Sequence, residues 1–255
     1  MSLLDSIVLG IIEGFTEFLP VSSTAHLVLT SRLLGIETSD FLKSFEIATQ
    51  LGAIFAVVFL YWKTLASKWE INKRIVTAFV PTAIVGLVFY NLLKNFLLAN
   101  HMVSIYTLLV GGIVLIIFEF IHKERPENIE HLENISYSKA FIIGLFQSIS
   151  IIPGVSRAAA TIIGGLSLGI KRKTIVEFSF LLAIPTMAAA TGLDLLKSVN
   201  QFSRSDFLDL SAGFIVSFIM ATISVSFLLK LIRNHNFISF GIYRIIIALS
   251  FLYLL

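Results

Sequence analysis

Residues 210–229, LSAGFIVSFIMATISVSFLL, run for 20 positions without a charge. As a helix, that length covers about 30 Å, the thickness of a bilayer's hydrocarbon layer. Five more segments of this kind lie at about 44–62, 76–93, 103–121, 175–195 and 238–255. A water-soluble fold would have to bury all six under a polar skin. With 56% hydrophobic and 14% charged residues, the chain has too little polar surface to make one. The sequence therefore predicts an all-α integral membrane protein. No basic patch interleaved with aromatics is present, which speaks against nucleic acid as a partner. The absence of cysteine excludes disulfides and thiol chemistry. The first residues lack a charged leader and are interrupted by Asp5, Glu13 and Glu17, so the first segment is expected to belong to the fold.

Two other apolar regions are broken. Residues 3–34 break at Pro20, and residues 140–169 break at Pro153-Gly154. The pieces are at or below the short end for crossing a bilayer, and they predict two re-entrant helical hairpins, which lipid tolerates only where protein or a wet cavity surrounds them. The two regions also align without gaps, residues 10–36 on 144–170. They share Gly10/Gly144, Val21/Val155, Ser22/Ser156 and the Leu-Gly-Ile triplets at 34–36 and 168–170. Each is followed by three spanning segments. We expect one membrane domain of two repeats, about 1–121 and 134–255, joined by a polar linker at about 122–139. Three crossings per repeat is odd, so the second repeat should be inverted, with a site at the midplane between the two. Loops 63–75, 122–139, 170–174 and 230–236 hold 12 Lys and Arg residues against five on the other side. The positive-inside rule then puts those loops in the cytoplasm and both termini outside.

The breaks hold the polar groups. Glu13 and Glu17, four apart, share a helix face. Charged and unpaired in hydrocarbon, each would cost roughly 2.5–3.5 kcal/mol. Four readings are open for the pair: ligands for a divalent cation such as Mg²⁺, a base beside a ligand, a structural lock, or an ion relay. After Pro20, any of Ser22, Ser23 and Thr24 is placed to cap the next helix, and His26 falls in its first turn. In the second break, Ser156 is a candidate cap and Arg157 brings a five-donor fork. If the tips meet, two helix N-termini and a guanidinium converge on a site suited to phosphate. Thr161, one turn on, fits packing or ligand contact equally. Glu46, Glu119, Glu177, Asp194 and Arg244 are expected as interhelical partners. Lys171-Arg172-Lys173 is expected to orient the chain or meet lipid headgroups.

EGFTEFLPVSSTAHL (13–27) and PGVSRAAAT (153–161) resemble the two signature regions of the bacterial undecaprenyl-diphosphate phosphatases, or bacitracin resistance proteins. FEIATQLGAI (45–54), EFSFLLAIP (177–185) and YRIIIA (243–248) extend the resemblance along the chain. It implies hydrolysis of undecaprenyl diphosphate to the monophosphate and inorganic phosphate, a divalent cation (usually Mg²⁺), residence in the bacterial inner membrane, an outward-opening site and a homodimer. By motif, Glu13 and Glu17 match the family's paired carboxylates. Ser22, Ser23 and His26 match its serine–histidine region, and Ser156, Arg157 and Thr161 its second motif. Ala25 stands where the family often has glycine, and Ala158 where a serine is common. Catalytic roles fall to Glu13, Glu17, Ser23, His26 and Arg157, and substrate contacts to Ser22, Thr24, Ser156, Arg157 and Thr161. The nucleophile is Ser23, His26 or a water activated by His26 or a glutamate, with His26 and Glu17 expected to be indispensable. A lipid transporter is the rival reading, because inverted repeats with broken helices also build transporters.

Overall fold

The computed structural model describes residues 1–37, 39–92, 101–198 and 204–254. Among these are ten α-helices and no β-strand beyond a single bridge. Five helices are long and apolar enough to cross a membrane: α3 (Asp40–Ser67), α4 (Trp69–Leu92), α5 (His101–Ile121), α8 (Arg172–Ser198) and α9 (Arg204–Leu231). The last, α10 (Ile238–Leu254), is apolar but has 17 residues. Residue 93 and residue 255, at the ends of two expected segments, lie outside the described residues. So does the side chain of Asp194.

Both broken regions form helix pairs. The first is α1 (Leu3–Thr16) and α2 (Ser23–Leu33). The second is α6 (Tyr137–Ser148) and α7 (Arg157–Ser167), with a 3-10 turn at Ile149–Ile151 between them. Their lengths of 14, 11, 12 and 11 residues give about 16–21 Å each, too short for the bilayer core.

The aligned positions of the two pairs share backbone conformations. Ser22 and Ser156, just before α2 and α7, have φ of 70° and 66°, and no other non-glycine residue described has a positive φ. Gly35 and Gly169, just after the same helices, have φ of 68° and 74°. Ser156 caps α7 by accepting from the Ala159 N–H at 3.2 Å. Ser22 holds the equivalent place with no side-chain cap bond. Its carbonyl instead receives the His26 N–H at 3.3 Å and the His26 ring Nδ1 at 2.8 Å. The histidine, spaced one turn away, anchors the Ser22 carbonyl and leaves the N–H groups that open α2 without a side-chain cap.

Packing is crosswise. α1 lies on α9, and α6 lies on α4, so each pair's first helix rests on a long helix from the other half. Small residues permit this: a Cβ at Gly10 would stand 2.8 Å from the Gly213 carbonyl oxygen, and one at Gly144 would collide with that of Ala78. α3 packs on α8 and α9, and α5 on α10. The main core gathers Phe18, Phe178 and Phe180, all fully buried, around the two tips.

The loop expected at 63–75 is almost entirely helical. α3 ends at Ser67 and α4 begins at Trp69, leaving Lys68 as the only break. Asn72 donates to the Leu65 carbonyl at 2.6 Å, and the Ile71 N–H reaches back to Lys68. Those bonds engage a carbonyl at the end of α3 and an N–H at the start of α4, tying the two helices together across the one-residue break. The 122–139 linker is tied down as well: Ile129 exchanges backbone bonds with Gly169 and Lys171 at 2.9 and 2.8 Å.

Candidate active site

Glu17 closes α1, Ser23 opens α2 and Arg157 opens α7. The turn after α1 points the Glu17 carboxylate at both others. Its Oε1 accepts from Arg157 Nη2 at 3.0 Å, and its Oε2 accepts the Ser23 hydroxyl. Arg157 also donates through Nη1 to the Ser179 carbonyl at 2.9 Å, and its Cζ lies 5.7 Å from the Phe18 ring centroid. The ion-paired side chains are only 9% and 7% exposed, which makes this a buried pair rather than a surface contact. One guanidinium donor, Nε, is buried without a partner.

These groups border a cavity of about 130 Å³. The first tip supplies Glu17, Ser22, Ser23 and Thr24, and the second supplies Ser150, Pro153, Gly154, Ser156 and Arg157. Gln50 of α3 and Met187 of α8 complete the wall. The space suits a small polar group and not a lipid tail. A larger cavity of about 610 Å³ lies among Lys68, Glu130, Lys171, Arg172 and Arg233. Its cations are mostly paired: Lys68 with Glu133, Lys171 with Glu130 and Arg172 with Glu119. It holds none of the groups that meet at the tips, and its size is not a mark of chemistry.

Glu13 is fully buried beneath this wall, and neither of its oxygens has a hydrogen-bond partner. Its charged neighbours are Glu17, Glu46 and Arg157. Two orphaned carboxylate oxygens one turn below Glu17 fit a cation held between the pair. Among the described residues no three His, Cys, Asp or Glu side chains gather into a metal cluster. A cation here would complete its shell with water or phosphate oxygens, as Mg²⁺ ordinarily does.

His26 and Thr161 are not on the cavity wall. The His26 Nδ1 faces the Ser22 carbonyl, which can only accept, so Nδ1 bears the proton. Its Nε2 meets the Tyr243 hydroxyl at 2.9 Å, and the two rings stack with centroids 5.5 Å apart. Thr161 shares a 2.6 Å hydrogen bond with Ser179 and bonds back to Arg157 and Ala158 carbonyls. It thereby braces the segment that receives Arg157. Glu119 pairs with Arg172 across α5 and α8, while Glu177 meets Lys173 within its own helix at 3.9 Å. The three cations at 171–173 each have an acidic partner.

Sequence reasoning missed Gln50, Ser150 and Tyr243; Arg244, expected as an interhelical partner, does bond from α10 to α5, through the Thr107 and Leu108 carbonyls. Ser150 was within reach, because it is a hydroxyl inside a break. Gln50 was signalled only by being an uncharged polar residue in a spanning segment.

The model of the family "Bacitracin resistance protein BacA" matches residues 6–250. The chain is 49% identical over 251 residues to an undecaprenyl-diphosphatase of Sulfurihydrogenibium sp. (strain YO3AOP1), covering 98% of each chain. It is 50% identical over 252 residues to one of Persephonella marina, covering 99% of this chain and 98% of the relative. To one of Aquifex aeolicus it is 50% identical over 247 residues, covering 97% and 96%.

Proposed function

The chain belongs to the BacA family of bacitracin resistance proteins, and from that membership and its site we infer that it hydrolyses undecaprenyl diphosphate to undecaprenyl phosphate and inorganic phosphate. The observation that carries this reading is the unbroken chain from the Ser23 hydroxyl through Glu17 to Arg157, spanning both helix-pair tips at one cavity.

Phosphoryl transfer depends on charge neutralisation and in-line positioning. The terminal phosphate enters the cavity, takes the unpartnered Arg157 Nε and displaces the Glu17 carboxylate from Nη2, and accepts from the free N–H groups that open α2 and α7. Ser23 Oγ attacks the terminal phosphorus, and its proton passes to Glu17. The bond from phosphorus to the bridging oxygen breaks, and undecaprenyl phosphate leaves with the electron pair. Water then hydrolyses the phosphoserine and restores the hydroxyl. His26, bonded at both nitrogens, holds the strained Ser22 turn rather than meeting substrate. Glu13 and Glu17 are the residues that would hold Mg²⁺, which when bound supplies positive charge to the phosphoryl oxygens. The tail lies between the long helices.

In this reading six helices cross the bacterial inner membrane, and α1–α2 and α6–α7 are re-entrant. Repeats at about 1–121 and 134–255 are inverted, the termini and the site face outward, and two copies pair. The matched φ values at 22/156 and 35/169 and the crosswise packing support the repeat. The reading is tested with purified protein in detergent, measuring phosphate release from undecaprenyl diphosphate with Mg²⁺ and with EDTA. Metal-dependent release that Ser23→Ala lowers at least about 100-fold is expected. No release, together with lipid translocation in vesicles, would replace hydrolysis by transport.

A further inference from the structure

Arg244 of α10 is fully buried, and no carboxylate pairs with it among the described residues. A cation in such a place normally has an acidic partner. This one faces five carbonyls instead. Nε donates to Leu108 at 3.3 Å and Nη2 to Thr107 at 3.1 Å, both on α5. Nη1 reaches Pro20 in the first tip at 3.3 Å and Val155 in the second at 3.4 Å, and Nη2 also reaches Gly154 at 2.9 Å. One guanidinium thus binds both tips to α5.

The direction of these bonds matters. All described peptides are trans, so a carbonyl turned toward Arg244 turns the next residue's N–H the opposite way. The Val155 carbonyl points at Arg244, so the Ser156 N–H points away from it. Ser156 lines the cavity and Arg244 does not. The Ser156 N–H donates no hydrogen bond among the described residues. An oriented peptide with its N–H free and a cation behind its carbonyl is an anion-binding element.

We propose that Arg244 is a positioning residue of the phosphate site, holding the two tips in register and aiming the Ser156 N–H at the bound phosphate. The proposal rests on the phosphatase reading for the identity of its ligand. A lysine could not serve, because three donors on one nitrogen cannot address five carbonyls spread over three segments.

Two test variants, one control variant and one variant-free measurement test it. Arg244→Lys keeps the charge and loses the planar fork. Gly111→Ala keeps the arginine but puts a Cβ into Nη2 and 2.8 Å from Cζ. Gly213→Ala, whose Cβ would press on Phe45 and stand 2.9 Å from the Thr49 methyl, serves as a packing-strain control away from the tips. Each protein is assayed for elution and thermal stability, for affinity toward inorganic phosphate without metal, and for kcat and KM. Both Arg244→Lys and Gly111→Ala should bind phosphate at least about 10-fold more weakly and lose at least about 10-fold in kcat, amounts consistent with one lost hydrogen bond to a charged group. Gly213→Ala should lose thermal stability at unchanged phosphate affinity. In the wild type, the ¹⁵N-labelled Ser156 amide resonance should move on adding inorganic phosphate. An unmoved amide, or wild-type phosphate affinity in either folded variant, overturns the proposal and leaves the phosphatase reading intact. Phosphate affinity that depends on Arg244 in a protein that hydrolyses no polyprenyl diphosphate would do the reverse.

Discussion

Glu17→Gln should tighten phosphate binding while it abolishes turnover. In the structure Arg157 is engaged: Nη2 gives a 3.0 Å hydrogen bond to the Glu17 carboxylate, and incoming phosphate competes for the same donor. At 3.0 Å and an effective dielectric near 20, the Coulomb attraction of the pair is about 5–6 kcal/mol, an upper bound before desolvation. The net worth of a hydrogen bond to a charged group is about 1.5–3 kcal/mol. Glutamine keeps the shape and removes the charge. The variant should then bind inorganic phosphate roughly 10- to 150-fold more tightly, at about 1.4 kcal/mol per decade. Loss of the repulsion between carboxylate and phosphate adds in the same direction. The assay is titration calorimetry in detergent with EDTA, beside phosphate release with Mg²⁺. The ligand-free variant holds an unneutralised guanidinium and should melt lower, and phosphate should raise its melting temperature more than it raises that of the wild type. Weaker or unchanged phosphate affinity would refute the idea that Glu17 and phosphate exchange at Arg157.

Three further outcomes follow from the geometry. Gly154→Ala should cost about 1–3 kcal/mol of stability and most of the activity, because φ is +89° and a Cβ there would strike Thr107 and stand 2.6 Å from the Ser104 carbonyl oxygen; thermal unfolding and phosphate release check both. Tyr243→Phe keeps the ring stack on His26 and removes the 2.9 Å hydrogen bond, so turnover should fall less than about 10-fold, the scale of one neutral bond. A loss as deep as that of Ser23→Ala would overturn the supporting role and give the His26–Tyr243 pair a part in the chemical step. Lys68→Ala should change stability by less than about 1 kcal/mol, since the pair with Glu133 is 51% and 40% exposed. The Lys68 hydrogen bond holds the Glu133 carboxyl below its ordinary range, so the pair's small contribution is present above the unfolded value and fades as pH falls through the depressed one. NMR titration of the variant should show the Glu133 midpoint moving up.

The sequence made the breaks legible because proline and glycine interrupt apolar helices for local steric reasons. Pro20 and Pro153-Gly154 sit within the turns, and the serines aligned across them, Ser22 and Ser156, have the same unusual φ. The meeting of Glu17 and Arg157, 140 positions apart, was approachable only through the alignment of residues 10–36 with 144–170. What stayed hidden depends on partners that carry no sequence mark. Arg244 binds carbonyls, which every residue has, so no complementary charge announces its position. His26 looked like a group facing the cavity, but its helix phase turns it toward Tyr243 on α10. The near-fusion of α3 and α4 at Lys68 was obscured by a polar run that reads as a loop and folds as helix ends outside the apolar zone.

Because α1 rests on α9, it lacks its seat until residues 204–231 have been synthesised. At 5–20 residues per second, the roughly 190 intervening residues impose a delay of about 10–40 s. Throughout that interval the ribosome-bound chain exposes two acidic side chains with no resting place in lipid. Biogenesis must therefore either shelter the amino-terminal segment in the insertion machinery or leave it at the interface, with entry into the bilayer postponed until the carboxy-terminal half arrives.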